Sequence, residues 1–126
     1  MLNLEKLLAK LANKQIPEIY PINPNTGYPN ANGTTRIERV GCQCNLIFCG
    51  VKNATNGWMN IGYVPERFRP KYADCESLTV GQANGRGTNL LLSLSSSTGL
   101  LRVHNYTTET GTVTTLATMS YICNGD

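Results

Sequence analysis

The chain reads as a mainly β protein, an antiparallel β-sandwich of jelly-roll type with one short helix at its N-terminus. Three observations predict it. From residue 34 onward apolar residues recur with period two, as on half-buried strands. Asn/Gly and Ser/Thr/Gly turn clusters punctuate that pattern at short intervals. No helical periodicity intervenes between the strands, which favours antiparallel sheets over a parallel α/β arrangement.

Length and charge bound the rest. At 126 residues one domain with a sizeable core is expected. The composition is that of an ordinary soluble protein. The formal net charge is +3. Lys6, Lys10 and Lys14 against Glu5 put most of it in residues 1–15. The remainder is nearly neutral and shows no basic stripe, so a dedicated nucleic-acid binder is not expected. No stretch is apolar and long enough for membrane insertion, and the Glu/Lys-containing N-terminus does not read as a secretory signal.

Residues 1–15 read as a helix, because Leu4, Leu7, Leu8 and Leu11 line one side at three/four spacing. It ends at Gln15, ahead of Ile16-Pro17. Four turns are marginal alone in water, so the leucine stripe needs a partner. Copies of itself, the body of the domain and another protein are the three options; an oligomerisation or anchoring role is the sharper one. Residues 16–33 hold four prolines with several Asn and Gly, and read as a linker or an ordered irregular arm. Tyr20 and Tyr28 are expected to anchor it rather than to contact a sugar, the alternative such tyrosines offer.

Residues 34–126 form the β-domain. Strands are predicted over 35–51, bent or broken near Gly41, then 57–64, 72–80, 88–96, 100–106 and 112–123. The pair 88–96 and 100–106 reads as a hairpin. In its second strand, Leu101 and Val103 face the core while Arg102, His104 and Tyr106 share the polar face. Gly81, Gly85 and Gly87 mark a surface loop with special backbone angles. It lacks the Lys-Ser/Thr and following helix of a phosphate loop.

The five cysteines, Cys42, Cys44, Cys49, Cys75 and Cys123, are odd in number and read as free thiols. Cys42 and Cys44 lack C-x-x-C spacing and are expected with Val40, Leu46 and Phe48 on one apolar strand face. No metal or cofactor is expected. The single histidine, His104, stands in no local catalytic motif. The only close carboxylates on one strand, Asp74 and Glu76, are expected to pair with Arg69 and Lys71 rather than to work as acid and base. No catalytic residue is assigned, and the protein is not expected to be an enzyme; a small carbohydrate-active enzyme is the least favoured alternative.

The stretch WMNIGYVPERFRPKYADC at 58–75 gathers Trp58, Tyr63, Phe68, Tyr72, Arg67, Arg69 and Lys71 between two prolines. It reads as a structural corner. A strand ends at Val64-Pro65, Phe68 plugs the core, Arg67 and Arg69 point outward, and a new strand follows Pro70. Trp58 is expected in the core.

This corner resembles the distal head domains of bacteriophage tail fibres and receptor-binding proteins. There a Trp-bearing strand leads into a Leu/Val-Pro-x-x-Tyr/Phe-Arg-Pro corner, matched here by Trp58, Ile61, Val64, Pro65, Phe68, Arg69 and Pro70. The strand 99–103 and Tyr121-Ile122 are similar to later strands of that family, so the resemblance covers roughly 34–124. It implies a homotrimeric, non-catalytic adhesin on a virion, binding a host surface saccharide or protein. The helix would seed the trimer or dock onto other virion proteins. Candidate receptor contacts are Asn84, Arg86, Arg102, His104 and Tyr106. A structural virion protein, such as a capsid decoration or head fibre anchored by the helix, is the alternative.

Overall fold

The structure, a computed structural model, describes residues 2–125, with Leu2 and residues 10–15 described by their backbone alone. The N-terminal helix α1 spans Leu2–Gln15, as the leucine spacing and the following proline dictate. Eight strands follow: β1 (Glu18–Pro21), β2 (Arg36–Val40), β3 (Gln43–Ala54), β4 (Gly57–Tyr63), β5 (Cys75–Ala83), β6 (Arg86–Leu94), β7 (Leu100–Asn105) and β8 (Gly111–Ile122). All pairings are antiparallel, in the order β1-β2-β3-β8-β5-β6-β7-β4. The predicted antiparallel β fold with one short N-terminal helix is therefore present. Its strands belong to one continuous sheet that curls around a single core.

The alternating pattern is met strand by strand. Cys44, Leu46 and Phe48 of β3, Leu90, Leu92 and Leu94 of β6, and Leu101 and Val103 of β7 are all buried. The expected break near Gly41 is a tight turn between β2 and β3, where Gly41 adopts φ +61°. That turn exposes Val40 and Cys42, which therefore do not join the buried face of Cys44. All five cysteines are free thiols. The glycine loop is tighter than expected. Gly81 lies within β5, Gly87 within β6, and only Asn84-Gly85, at φ 54° and 75°, make the hairpin turn.

The Pro/Asn-rich segment 16–33 is built into the fold. Its first part is the edge strand β1, with Pro21 at the strand end, where a missing N–H costs the ladder little. Asn23 and Thr26 then cap a short 3-10 turn over Pro24–Thr26. Ile22, Tyr28 and Ala31 are buried. The two tyrosines anchor the segment, as expected. Tyr28 donates its phenolic hydrogen to the Tyr63 carbonyl at 2.6 Å and meets the Tyr20 hydroxyl at 2.7 Å. Since Tyr28 has one hydrogen to give, Tyr20 is the donor of the second bond. Tyr28 thus ties the connection after β1 to β4, bringing the two edges of the sheet together.

The Pro-bounded corner is structural, with two corrections. Phe68 is buried on a 3-10 turn over Glu66–Phe68, and its carbonyl accepts from the Tyr121 hydroxyl at 2.6 Å. Arg69, expected to point outward, folds back across the corner. Its Nε donates to the Val64 carbonyl at 2.8 Å and its Nη1 to the Ser97 carbonyl at 3.3 Å. Trp58, expected in the core, lies on the outer face at 44% exposure. Met59 and Ile61 take the inward positions of β4, and strand alternation sends Trp58 and Asn60 out.

Candidate functional site

The outer face of β4 and β7 carries a contiguous grouping of polar and aromatic side chains away from the corner. Strand register builds it. Trp58 pairs with His104 and Asn60 with Arg102 across β4 and β7. On the other side of β7, Leu91 stands opposite His104 and Ser93 opposite Arg102. One strand further, Leu78 follows Leu91 and Glu76 follows Ser93. The face therefore has an aromatic-to-apolar row, Trp58–His104–Leu91–Leu78, and a polar row, Asn60–Arg102–Ser93–Glu76. Leu101, Val103 and Asn105 alternate inward, so packing on the core holds β7 in place beneath this surface.

The side chains touch. The Trp58 and His104 rings meet edge to face at 4.9 Å between centroids and 89°. His104 and Tyr106 are 4.3 Å apart at 37°. The Arg102 Cζ lies 3.9 Å from the centre of the Trp58 ring, within cation–π range. Trp58 and Tyr106 nevertheless stay 44% and 55% exposed, so aromatic surface remains open to a ligand. The His104 Nδ1 is buried without a hydrogen-bond partner.

The loop after Tyr106 is fixed from below. The buried Asn105 side chain accepts from the Thr107 N–H at 3.0 Å and donates to the Glu109 carbonyl at 2.9 Å. Asn56 adds a bond to the Thr107 carbonyl at 2.8 Å. From the neighbouring hairpin, Asn84 donates to the Thr110 carbonyl at 3.2 Å and Arg86 pairs with Glu109 at 3.1 Å. The five candidate contact residues thus fall into two groups. Arg102, His104 and Tyr106 meet on one surface, while Asn84 and Arg86 brace the loop behind it. Sequence reasoning missed Trp58 and Asn60 as members. The signal was present in the apolar Met59 and Ile61 at odd positions, whose inward facing leaves Trp58 and Asn60 outward.

The other candidates for chemistry come apart. The Asp74 carboxylate accepts from the Ser96 N–H at 2.8 Å, which caps the loop before β7. Glu76 stands on the outer face opposite Ser93. The ion pairs expected with Arg69 and Lys71 are absent among the described residues, because Arg69 is turned to backbone carbonyls. Asp74 also borders a shallow depression of about 250 Å³ with Tyr72, Cys75, Tyr121 and Ile122. Among the described residues no group of three or more His, Cys, Asp or Glu side chains could hold a metal ion. No described helix is long and apolar enough to cross a membrane.

Of the helix stripe, Leu4, Leu7 and Leu8 are exposed at 63%, 53% and 57%, and so do not pack on the β-domain. Leu11, the fourth member, lies outside the residues whose side chains are described. A second exposed apolar group, Leu78, Val80 and Leu116, lies on β5 and β8.

No protein-family model matches the chain, and no curated protein matches it.

Proposed function

We propose that this protein is a non-catalytic binding module, a phage virion adhesin that holds a host cell-surface saccharide on the outer face of β4 and β7. The observation that carries the reading is the contiguous Trp58–His104–Tyr106 cluster, part-open to solvent and flanked by Arg102 and Asn60. Exposed aromatic rings beside a few fixed polar groups suit a sugar. Its C–H faces pack on rings and its hydroxyls bond to side chains. The virion setting is supported only by the sequence resemblance over roughly 34–124, carried chiefly by the 58–70 corner.

Trp58 is the sole tryptophan, so its fluorescence reports on the site directly. A saccharide panel titrated against the protein tests the reading. Binding is expected to change Trp58 emission and to be lost in Tyr106→Ala. Trp58→Ala should abolish binding, read by calorimetry, while lowering stability by no more than about 1 kcal/mol, because the ring lies outside the core. A panel without a binder sinks the reading.

The assembly we propose is a homotrimer. The exposed leucines of α1 and the apolar group Leu78, Val80 and Leu116 support it, since such surface is normally covered by a partner. The same exposed helix face favours a second reading, a structural virion protein anchored through α1. Cell binding by residues 16–126 supports the adhesin; incorporation into virions without cell binding supports the structural role.

A further inference from the structure

Arg102 is the odd arginine of the molecule. The chain has six. Arg36 donates to the Thr34 carbonyl, Arg39 to that of Gly41, Arg67 to the Glu18 carboxylate, Arg69 to the Val64 carbonyl and Arg86 to the Glu109 carboxylate. The Arg102 side chain makes no hydrogen bond or ion pair to any described residue, and its one charge-related contact is the stack over Trp58. It is not a loose surface chain, since it is half-buried in mid-strand between Asn60 and Ser93.

A guanidinium lying over an indole keeps its N–H groups in its own plane, pointing away along the edges. That fork matches the two oxygens of a carboxylate. The nearest carboxylate along its row, Glu76, is two strands away. Ser93 stands between them, and no ion pair joins Arg102 to Glu76, since the guanidinium is turned the other way, over Trp58 on β4. The partly buried charge is therefore held in place by an aromatic ring and left without a counter-charge among the described residues, beside the exposed Asn60, with Tyr106 further along the same strand face beyond His104.

We infer that the ligand of this face is an acidic saccharide, whose carboxylate is taken by the Arg102 guanidinium while its ring packs against the aromatic cluster. The inference rests on the binding reading above and specifies its ligand class. No bond is made or broken; the carboxylate exchanges water for the guanidinium N–H groups. Uronic-acid units of a surface polysaccharide supply the required chemistry.

The test is a Trp58 fluorescence titration of the whole protein with oligogalacturonate and with the same oligomer after reduction of its carboxyl groups. The acidic form is expected to bind about ten- to a hundredfold more tightly, as for a charge-assisted bidentate pair. Arg102→Gln should bring the acidic oligomer down to the affinity of the neutral one, with added salt narrowing the wild-type gap. Equal affinity of wild-type protein for the two oligomers overturns the inference and leaves the saccharide reading intact. Equal displacement by a short single-stranded oligonucleotide also overturns it, since any polyanion would then serve. Failure of both oligomers, with binding of an unrelated neutral sugar from the panel, overturns the acidic ligand alone. If Arg102→Gln does not fold, the comparison of the two oligomers on wild-type protein still decides.

Discussion

The ring of Tyr28 occupies the space that a side chain at Gly62 would need. A Cβ built on Gly62 would come within 2.7 Å of the Tyr28 Cδ1 and Cε1 atoms. The backbone there also has φ +154°, a conformation that residues with a Cβ rarely take. The closure between the two sheet edges thus depends on an absent side chain on one strand and a buried ring from the other end of the sheet. Gly62→Ala is expected to cost about 2–4 kcal/mol through overpacking and strain. Tyr28→Phe keeps the ring and removes both hydroxyl bonds, leaving the Tyr63 carbonyl unpaired, at about 1–2 kcal/mol. Urea unfolding checks both, and a silent Gly62→Ala would mean that the edges do not close through Tyr28.

Two arginines of the corner should differ sharply in weight. Arg69 serves carbonyls at the end of β4 and in the loop before β7 from a half-buried position. Its loss in Arg69→Ala should cost about 2 kcal/mol, the range for a charged donor whose acceptors are left unmet. The Arg67–Glu18 pair, at 2.7 Å, has side chains 42% and 46% exposed. Glu18→Gln should cost under about 1 kcal/mol. Thermal melts at low and high salt separate the two: the Glu18 effect fades with salt and the Arg69 effect persists.

Stability should fall in alkali. Cys44 is buried beside Cys123 and Tyr121, and burial first, then the neighbouring thiol of Cys123, pushes its pKa up from 9.0 to about 12. In the unfolded chain the thiol loses its proton near 9.0; in the folded one it is held to about 12. Between those values the unfolded state binds fewer protons, so stability declines as pH rises. The decline is at most about 1.4 kcal/mol per pH unit for one thiol. Below that window both states are protonated and the contribution is complete. Burial raises Cys75 and Tyr121 in the same direction. Urea midpoints between about pH 8 and pH 11 should therefore slope downward, less steeply in Cys44→Ala; parallel slopes would remove Cys44 as a cause.

Deleting residues 2–15 should leave the melting temperature of the β-domain unchanged, because residues 3–9 lie exposed rather than packed on it. Light scattering on both forms then locates assembly. A trimer lost with the helix assigns it to the leucines of α1. A trimer that persists assigns it to the sheet surface around Leu78, Val80 and Leu116. A monomer in both refutes the trimer.

How far the fold was legible follows from what each element depends on. The helix and seven of the eight strands, β2 to β8, rest on local alternation and turn residues, and these stand in the sequence. β1 does not: Glu18–Pro21 is short, ends in proline and becomes a strand only because β2 offers its edge. The position of β8 between β3 and β5 depends on pairings such as Gln43 with Ile122, which no local pattern encodes. At the site, alternation placed Arg102, His104 and Tyr106 on the outer face correctly. Trp58 lies outside the core because strand parity, set by the inward Met59 and Ile61, outweighs aromatic bulk, and Arg69 turns inward because its acceptors come from remote backbone.

The strand order also sets a sequence of events during synthesis. β1, β2 and β3 form one antiparallel run, and β5, β6 and β7 another, each from neighbours in the chain. β8 is the plank between them, made after all the other described strands. Until it emerges, the free edges of β3 and β5 have nothing of their own to pair with. A nascent chain paused before residue 111 would carry two strand edges open to any passing chain. The distant closure between β3 and β8 makes slow, late folding the expected kinetic character of the protein. Cells producing it would gain most from chaperones that shield strand edges late in synthesis.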